Sequence, residues 1–284
     1  MSDTFKAACV QNCAGPDIET TLARAADLAR RARDKGADLI AVPEFFACLN
    51  VGDDGLETGA APEDGHIALE AFRDVARETG AWILIGSIAV HEGGARDRNR
   101  SIVVDPKGDI RARYDKIHMF DVELGNGESY KESDRFEPGT KAVLAPTPWG
   151  PLGMTVCYDL RFAYLYRALA KAGALFLSCP AAFMKTTGQA HWHTLIRARA
   201  IETGCYMIAP CQNGSHGRAT TYGHSLIVDP WGAVIAEGDG DAEDVIVAEI
   251  DPAKVQEARA RVPALTHDRP FELAVEEAIR LAGE

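Results

Sequence analysis

Among the residues that could do chemistry in this chain, Cys157 is the best placed. It follows an apolar run that ends at Val156, and it precedes apolar residues at helical spacing over 160–171. This pattern predicts a strand-to-helix turn, where the thiol would be exposed at the end of a sheet beside unpaired helix N–H groups. Such N–H groups favour the thiolate, so the position suits a nucleophile. The alternative is a small buried residue that fills a core, which is the commoner fate of a free cysteine.

Two further reactive side chains stand where predicted strands end. Glu44 follows the apolar strand 37–42, and Lys116 follows a strand that ends at Tyr114. Strand ends along one rim of an α/β sheet are where binding sites assemble. There a carboxylate could take the thiol proton, and a lysine could stabilise an anionic intermediate. Singly, each could equally be a solvated surface charge, but their joint placement favours a site.

The elements that must position these residues alternate between strand and helix. Asp17 is a predicted helix cap, and Gly36 is predicted to end the same helix. For the first half, periodicity and turn residues predict a strand over 5–11, a helix over 17–35, a strand over 37–42, a loop over 52–65, a helix over 66–79, a strand over 82–90 and a hairpin over 101–114.

The second half of the chain repeats this order. Glu-Thr-Gly-Ala-Trp-Ile at 78–83 recurs as Glu-Thr-Gly-Cys-Tyr-Met at 202–207, and the segment 101–108 recurs at 225–232. Both pairs lie 124 positions apart, so two independent segments agree on one register. We therefore predict a single α/β domain over 1–284 with internal pseudo-two-fold symmetry, in which two mixed sheets pack face to face with helices on both outer sides.

The tail over 251–284 has helical stretches around a break at Val262-Pro263. It could pack on its own domain or reach a second subunit, and we expect it at the subunit interface.

Composition excludes several classes of protein. The 284 residues are 46% hydrophobic and 25% charged, which is typical of a globular protein. The net charge of -12 argues against nucleic acid or an anionic membrane as partner. Neither a signal peptide nor a membrane span is predicted, so a cytoplasmic protein with seven reduced cysteines is expected. The cysteines and histidines lack zinc-site spacing, so neither a metal nor another cofactor is expected.

Three blocks of sequence resemble the signature blocks of the nitrilase superfamily of carbon-nitrogen hydrolases. They are Leu-Ile-Ala-Val-Pro-Glu-Phe at 39–45, Tyr-Asp-Lys-Ile-His-Met-Phe-Asp at 114–121 and Gly-Met-Thr-Val-Cys-Tyr-Asp-Leu-Arg-Phe at 153–162. Further similarity lies at 190–192, 197–202 and 223–232. The resemblance implies a four-layer αββα sandwich that forms a homodimer with eight layers.

The resemblance also implies roles for single residues. Cys157 would be the nucleophile, Glu44 the general base and Lys116 the residue that stabilises the tetrahedral intermediate. The backbone N–H of Tyr158 would complete the oxyanion site. A second, positioning glutamate would be Glu132, in the loop that precedes Pro138-Gly139.

Glu128 is the competing choice for the second glutamate. Two departures from the family pattern are Ala163, where Pro is usual after Arg-Phe, and His193, where Glu is usual after Ala-His-Trp. Ala163 falls in the first turn of the predicted helix, where Pro is tolerated but not required. His193 could change the charge or the contacts near the substrate.

The implied activity is a cysteine-dependent amidase that converts a small carboxylate-bearing amide to an acid and ammonia. Arg161, about one turn after the nucleophile, could pair with the substrate carboxylate; its alternative partner is Asp159 or a loop acid. The branch resembled holds the omega-amidases and the deaminated-glutathione amidases, and the second type is slightly favoured. The alternatives are an amidohydrolase of N-carbamoyl amino acids or polyamines, and a catalytically silent scaffold that binds a partner.

Overall fold

Five α-helices and eighteen strands make up the computed structural model, which describes residues 4–52, 55–125 and 128–274. The helices are α1 (Ile18–Asp34), α2 (Ile67–Thr79), α3 (Ala163–Lys171), α4 (Lys185–Thr203) and α5 (Ala253–Arg261). The strands of the first half are β1 (Phe5–Gln11), β2 (Leu39–Ala41), β3 (Asn50–Gly52), β4 (Gly55–Glu57), β5 (Trp82–Val90), β6 (Arg98–Val104), β7 (Ile110–Asp115), β8 (Asp121–Gly125) and β9 (Glu128–Lys131). Those of the second half are β10 (Val143–Ala145), β11 (Leu152–Met154), β12 (Phe176–Ser178), β13 (Tyr206–Ala209), β14 (Asn213–His216), β15 (Ala219–Tyr222), β16 (Leu226–Val228), β17 (Val234–Glu237) and β18 (Asp244–Ile250).

The two main sheets have the same plan. The first has six strands in the order β18-β1-β2-β5-β6-β7, and the second has six in the order β10-β11-β12-β13-β16-β17. In both, the successive pairings are antiparallel, parallel, parallel, antiparallel and antiparallel. This shared order is the pseudo-two-fold symmetry that the sequence repeat predicted.

The sheets pack face to face between two layers of helices. Along β1, Ala7 and Cys9 belong to the core between the sheets, whereas Ala8 and Val10 belong to the core shared with α1 and α2. This alternation follows from the two-residue period of a strand. Helices α3 and α4 cover the second sheet. The layers are therefore helix, sheet, sheet and helix, which confirms the predicted αββα sandwich.

Matching local contacts mark the two halves of the repeat. Gly80 and Gly204 end α2 and α4 in the left-handed conformation, at φ 65° and 59°. In the two hairpin turns, the side chains of Asp105 and Asp229 each accept hydrogen bonds from the backbone N–H groups two and four residues further on. The sequence repeats at these turns therefore specify backbone conformation.

Three local predictions need correction. The helix predicted from 160 begins at Ala163, because a 3-10 turn from Cys157 to Arg161 precedes it. The predicted loop 52–65 contains part of the β3–β4 hairpin, although residues 53 and 54 lie outside the described part of the chain. The strand predicted over 37–42 is the shorter β2, although the backbone N–H groups of Asp38 and Val42 still donate to Lys6 and Leu84 of the neighbouring strands.

The tail contacts its own chain as far as Asp268, and Phe271 and Leu273 beyond it are exposed. After β18 has joined the first sheet, α5 ends before Val262, close to the predicted break. Asp268 forms ion pairs with Arg167 and Lys171 of α3. The rest of the predicted tail, 275–284, lies outside the described residues. Within the described ranges, the helices lack the combination of length and hydrophobicity required to cross a bilayer.

Candidate active site

The three residues singled out by the sequence meet where the two sheets face each other. Glu44 lies three residues beyond β2 and Lys116 directly follows β7, so both come from the first sheet. Cys157 lies three residues beyond β11 and belongs to the second sheet. All three line one cavity and are nearly buried, with exposures of 3%, 2% and 7%. The structure therefore brings the predicted residues together.

Lys116 is held between two carboxylates. Its Nζ lies 2.9 Å from Glu44 Oε1 and 2.8 Å from Glu132 Oε2. Glu132 opens a 3-10 turn after β9 and also accepts a hydrogen bond from the Phe120 N–H at 2.6 Å. Glu132 therefore lies where the resemblance places the positioning glutamate.

The competing residue, Glu128, lies outside this cluster. Its carboxylate accepts a hydrogen bond from Tyr130 at 3.1 Å and another from Thr186 at 3.5 Å. Of these three residues only Tyr130 lines the cavity, and the contacts do not reach Lys116.

Asn99 joins the two glutamates and was not found from the sequence. At the start of β6, its Nδ2 donates to Glu44 Oε1 at 2.9 Å and to Glu132 Oε1 at 3.0 Å. The backbone N–H of Ala182 donates to the second oxygen of Glu44 at 2.9 Å. A single Asn near the start of a strand has no sequence pattern of its own, so no signal could have identified it.

The turn that carries Cys157 is strained and anchored. Cys157 has φ +47°, which is unusual for a residue with a side chain. Its N–H donates to the carbonyl of Pro180 at 2.8 Å and is therefore already paired. Tyr158 is the second residue of the 3-10 helix, and in a first helical turn backbone N–H groups lack an intrahelical acceptor. This leaves the Tyr158 N–H, rather than that of Cys157, in a position to bind an oxyanion.

Asp159 ties the nucleophile turn to the loop after Lys116, and sequence reasoning missed this role. Its fully buried carboxylate accepts hydrogen bonds from Tyr114 Oη at 2.6 Å and from the backbone N–H groups of Val156 at 2.9 Å and His118 at 3.1 Å. Two strand ends from different sheets are therefore fixed relative to each other through one side chain.

The charges in the cluster depend on one another. Burial alone would lower the pKa of Lys116, but the carboxylates of Glu132 and Glu44 outweigh it and hold that pKa well above its usual value. Burial raises the pKa of Glu132, with a further contribution from Glu44, although Lys116 opposes the change. Lys116 is therefore a fixed cation at the buried end of the cavity.

The expectation of a thiolate at Cys157 is wrong for the free protein. Burial raises the pKa of the thiol well above its usual value, and the charge of Glu44 raises it further, while Lys116 only partly opposes them. The sulfur therefore carries its proton in the resting site, and a base must accept that proton during attack.

The cavity has a volume of about 760 Å³. Apolar and aromatic side chains form much of its wall, and the cationic side chains on it are accompanied by the carboxylates of Glu44, Glu132, Asp97 and Asp134. The apolar group includes Phe45, Leu49, Phe120, Tyr130, Phe183 and Met184, and the cationic side chains besides Lys116 are Lys131, Arg135 and Arg218. The volume lies in the upper part of the range of roughly 300–1,000 Å³ that is typical of small-molecule sites.

Arg161 lies at the edge of this cavity rather than on its wall. Its guanidinium is 5.7 Å from the centre of the Tyr158 ring and 5.5 Å from that of Phe183, and both of these rings line the cavity. Its Nη1 lies 3.3 Å from His191 Nδ1. Asp159, the partner considered for it, is bonded instead to the residues described above.

The two departures from the family pattern fall at different places. Ala163 is the first residue of α3, a position that suits Pro but does not need it. His193 lies on α4, and its Nε2 is 3.0 Å from Glu237 Oε1. It is absent from the residues that line the cavity.

Together, the fold and the buried acid, lysine and cysteine define a hydrolase of the nitrilase kind. The family model for carbon-nitrogen hydrolases matches residues 6–260, and the chain belongs to that family. It is therefore an enzyme that cleaves carbon–nitrogen bonds, with amidases among its relatives.

Named relatives and solved structures agree with this placement. A deaminated glutathione amidase from Yersinia enterocolitica is 38% identical over 266 residues, which is 92% of each chain. Nit3 from Saccharomyces cerevisiae, a member of branch 10 of the nitrilase superfamily, is 29% identical with a TM-score of 0.83 and covers 95% of this chain and 98% of that one. A mutant amidase from Nesterenkonia sp. AN1 is 25% identical with a TM-score of 0.74, with 91% and 95% covered, and shows covalent addition of the acetamide moiety of fluoroacetamide at the active site cysteine.

Proposed function

We propose that this enzyme is a cysteine-dependent amidase that cleaves the side-chain amide of a 2-oxo dicarboxylic acid, with deaminated glutathione as its preferred substrate. The observation that carries the proposal is the convergence of Cys157, Glu44 and Lys116 at the buried end of one cavity. The 38% identity to deaminated glutathione amidases over most of the chain supports the substrate.

The chemistry is a two-step acyl transfer. Cys157 Sγ attacks the amide carbon while its proton passes to Glu44, which suits a thiol that is protonated at rest. Lys116 Nζ and the Tyr158 N–H stabilise the negative oxygen of the tetrahedral intermediate. The C–N bond then breaks, and the amine leaves with the proton held by Glu44.

The second step returns the enzyme to its starting state. Glu44 takes a proton from water, the resulting hydroxide attacks the thioester, and the C–S bond breaks to release the carboxylic acid. The sulfur recovers the proton from Glu44. Glu132 and Asn99 act as positioning residues, because they hold Lys116 and Glu44 without facing the reacting carbon.

The cavity supports a substrate larger than a simple omega-amide. In deaminated glutathione the amide joins a 2-oxoglutarate unit to cysteinylglycine, so the leaving amine is that dipeptide and not the ammonia expected from the sequence analysis. A volume of about 760 Å³ can hold the dipeptide. Lys131, Arg135 and Arg218 lie on the wall together with Asp97 and Asp134, which pair with Arg135 and Lys131. Arg161 remains our candidate for a substrate carboxylate at the cavity edge.

The test is product analysis with two cysteine variants. Purified protein is given deaminated glutathione, 2-oxoglutaramate, succinamate and an N-carbamoyl amino acid, and the released acid and amine are quantified. We expect cysteinylglycine and 2-oxoglutarate from the first substrate, with essentially no turnover by Cys157→Ala. Cys9→Ala, a matched change at a buried thiol outside the cavity, retains activity.

Three outcomes would contradict the proposal, wholly or in part. Turnover of the N-carbamoyl compound alone would replace it with the amidohydrolase alternative. Equal activity of Cys157→Ala and the unchanged protein would remove the nucleophile. If nothing in the panel is turned over while Cys157 still reacts with thiol reagents, the chemistry stands and the substrate assignment fails.

We further propose that the enzyme is a single-domain homodimer in the cytoplasm, with the tail at the subunit interface. All seven cysteines are free, which supports a reducing compartment. Exposed Trp231 and Val262 near the tail support a contact between copies. Sedimentation of Trp231→Lys tests this, because a dimer that uses this face would dissociate.

A further inference from the structure

A second group of side chains lies away from the catalytic cavity. His193 is on α4, His224 directly precedes Ser225 and β16, and Glu237 ends β17. Glu237 Oε1 lies 3.0 Å from His193 Nε2 and 2.9 Å from His224 Nδ1. The three potential ligand atoms all lie within 4.8 Å of one another. None of the three side chains lines the catalytic cavity.

We propose that His193, His224 and Glu237 form a binding site for a transition-metal ion such as Zn²⁺. Two imidazole nitrogens and one carboxylate oxygen are a donor set that suits Zn²⁺, Ni²⁺ and Co²⁺. Mg²⁺ and Ca²⁺ prefer oxygen ligands and are disfavoured here. The side chains are 33%, 30% and 41% exposed, so an ion can enter from solvent and a water can complete its coordination.

The surrounding structure holds the two imidazoles in place. Trp192, which is fully buried beside His193, donates from Nε1 to the carbonyl of His224 at 2.8 Å. The Trp192 indole therefore links the backbone beside His193 to the backbone of His224. His224 has φ +50°, and Gly240 packs so closely on its ring that a Cβ there would overlap Nε2. This covers Nε2 and leaves Nδ1 facing Glu237.

The simpler interpretation is that Glu237 only accepts hydrogen bonds from the two histidines. Burial alone would raise the pKa of Glu237, but the hydrogen bonds from His193 and His224 outweigh it and lower that pKa, so the carboxylate is charged. A single His–carboxylate pair would already satisfy an exposed glutamate. Here a second imidazole is added, and the three potential ligand atoms are close enough to one another to share a single ion.

Sequence reasoning expected no metal because the ligands lie on three elements. They are far apart along the chain and lack the short Cys or His spacings of structural zinc motifs. Only the packing of α4 against the β16–β17 hairpin brings them together.

The test is titration of tag-free protein with Co²⁺, followed by displacement with Zn²⁺. We expect one Co²⁺ per chain, with the visible absorption of cobalt bound by nitrogen and oxygen. His193→Ala and Glu237→Gln should each weaken binding by more than about tenfold, since even residues behind metal ligands often contribute that much. The matched control is His91→Ala, because His91 Nδ1 pairs with Asp97 at 2.9 Å but has no second histidine beside it.

Three results would contradict the proposed metal site. They are unchanged affinity in both variants, an equal loss in His91→Ala, and intense near-ultraviolet absorption from a cobalt–thiolate bond, which would place the ion at a cysteine. Melting temperatures of the variants identify any that fail to fold. Because Co²⁺ binding is read by absorption, this test is independent of which amide the enzyme cleaves.

Discussion

The proton on Cys157 determines how the site must work. A thiol whose pKa is raised by burial and by Glu44 has little thiolate at neutral pH. The same carboxylate that suppresses the thiolate is the acceptor placed to remove the proton. Glu44 therefore has two opposing effects, one on the resting thiol and one on the reaction, and a single substitution separates them.

We predict that Glu44→Gln abolishes turnover and lowers the apparent pKa of Cys157. Removing the negative charge leaves Lys116 to favour the thiolate, so the midpoint of the pH profile moves down. The measurement is the rate of alkylation of the Cys157 peptide against pH, by mass spectrometry. A midpoint that stays the same or moves up would mean that Glu44 does not act on the thiol.

A second prediction concerns Asn99, which satisfies two buried carboxylates at once. Asn99→Ala should destabilise the protein by about 1.5–3 kcal/mol, the usual value for losing a hydrogen bond to a charged group. It should also lower kcat more than it changes KM, because Glu44 and Lys116 lose their alignment.

Asn50→Ala is the control for Asn99, since Asn50 makes the same kind of contact with Glu57 at an exposed position. We expect a change within about 0.5 kcal/mol there. Equal destabilisation by the two substitutions, measured by denaturant unfolding, would show that burial of the Asn99 contacts does not matter.

At the level of elements, the helix ends that depend on nearby residues could be predicted from the sequence. Asp17 caps α1 by accepting from the Thr20 N–H, and Gly80 ends α2, because capping acts within one helical turn. The split of the helix after Cys157 was not predictable, since it depends on Asp159 reaching across to Tyr114 and His118. Arg161 was expected to pair with a substrate carboxylate, and its place beside the rings of Tyr158 and Phe183 at the cavity edge could not be predicted from local sequence.

β5 passes close to the end of β2, which is a contact between distant segments of the chain. We predict that this contact fixes the position of Glu44. A Cβ on Gly86 would overlap the carbonyl oxygens of Val42 and Pro43. These are buried backbone atoms, which cannot move aside freely. Gly86→Ala should cost about 1–3 kcal/mol and reduce activity by displacing Glu44. The measurements are thermal unfolding and kcat/KM.

Gly94 provides the control for Gly86. It lies in an exposed loop, and a Cβ there would meet nothing closer than 3.7 Å. Gly94→Ala is expected to leave stability and kcat/KM nearly unchanged. If Gly86→Ala also left stability and kcat/KM unchanged, the contact between β5 and the end of β2 would not constrain Glu44.

At the level of the whole molecule, the two halves have the same order of strands and helices, but equivalent positions have different neighbouring side chains. Gly80 has open space where a Cβ would stand, whereas at Gly204 the Arg259 Cγ lies 2.9 Å from that position. Arg259 belongs to α5 and binds the carbonyls of Thr203 and Ala174. The C-terminal helix has therefore made one of two equivalent helix ends more crowded.

We predict that Gly80→Ala costs about 1–2 kcal/mol, the usual penalty of a left-handed alanine, and that Gly204→Ala costs more. The extra cost at Gly204 should disappear when Gly204→Ala is combined with Arg259→Ala and compared with Arg259→Ala alone, because the Arg259 side chain then no longer crowds this position. Chemical denaturation of the four variants checks this. Equal costs at both glycines would show that α5 adds no constraint.

The catalytic residues come from both sheets, and this has a consequence for how activity arises during folding. Glu44 and Lys116 are fixed by the first sheet and Cys157 by the second, so neither sheet alone contains a complete site. Contacts between segments so distant along the chain form late, because closing long loops costs entropy before the contacts can repay it. Catalytic activity regained after dilution from denaturant will therefore measure the rate at which the two sheets dock, and it will lag behind the recovery of secondary structure.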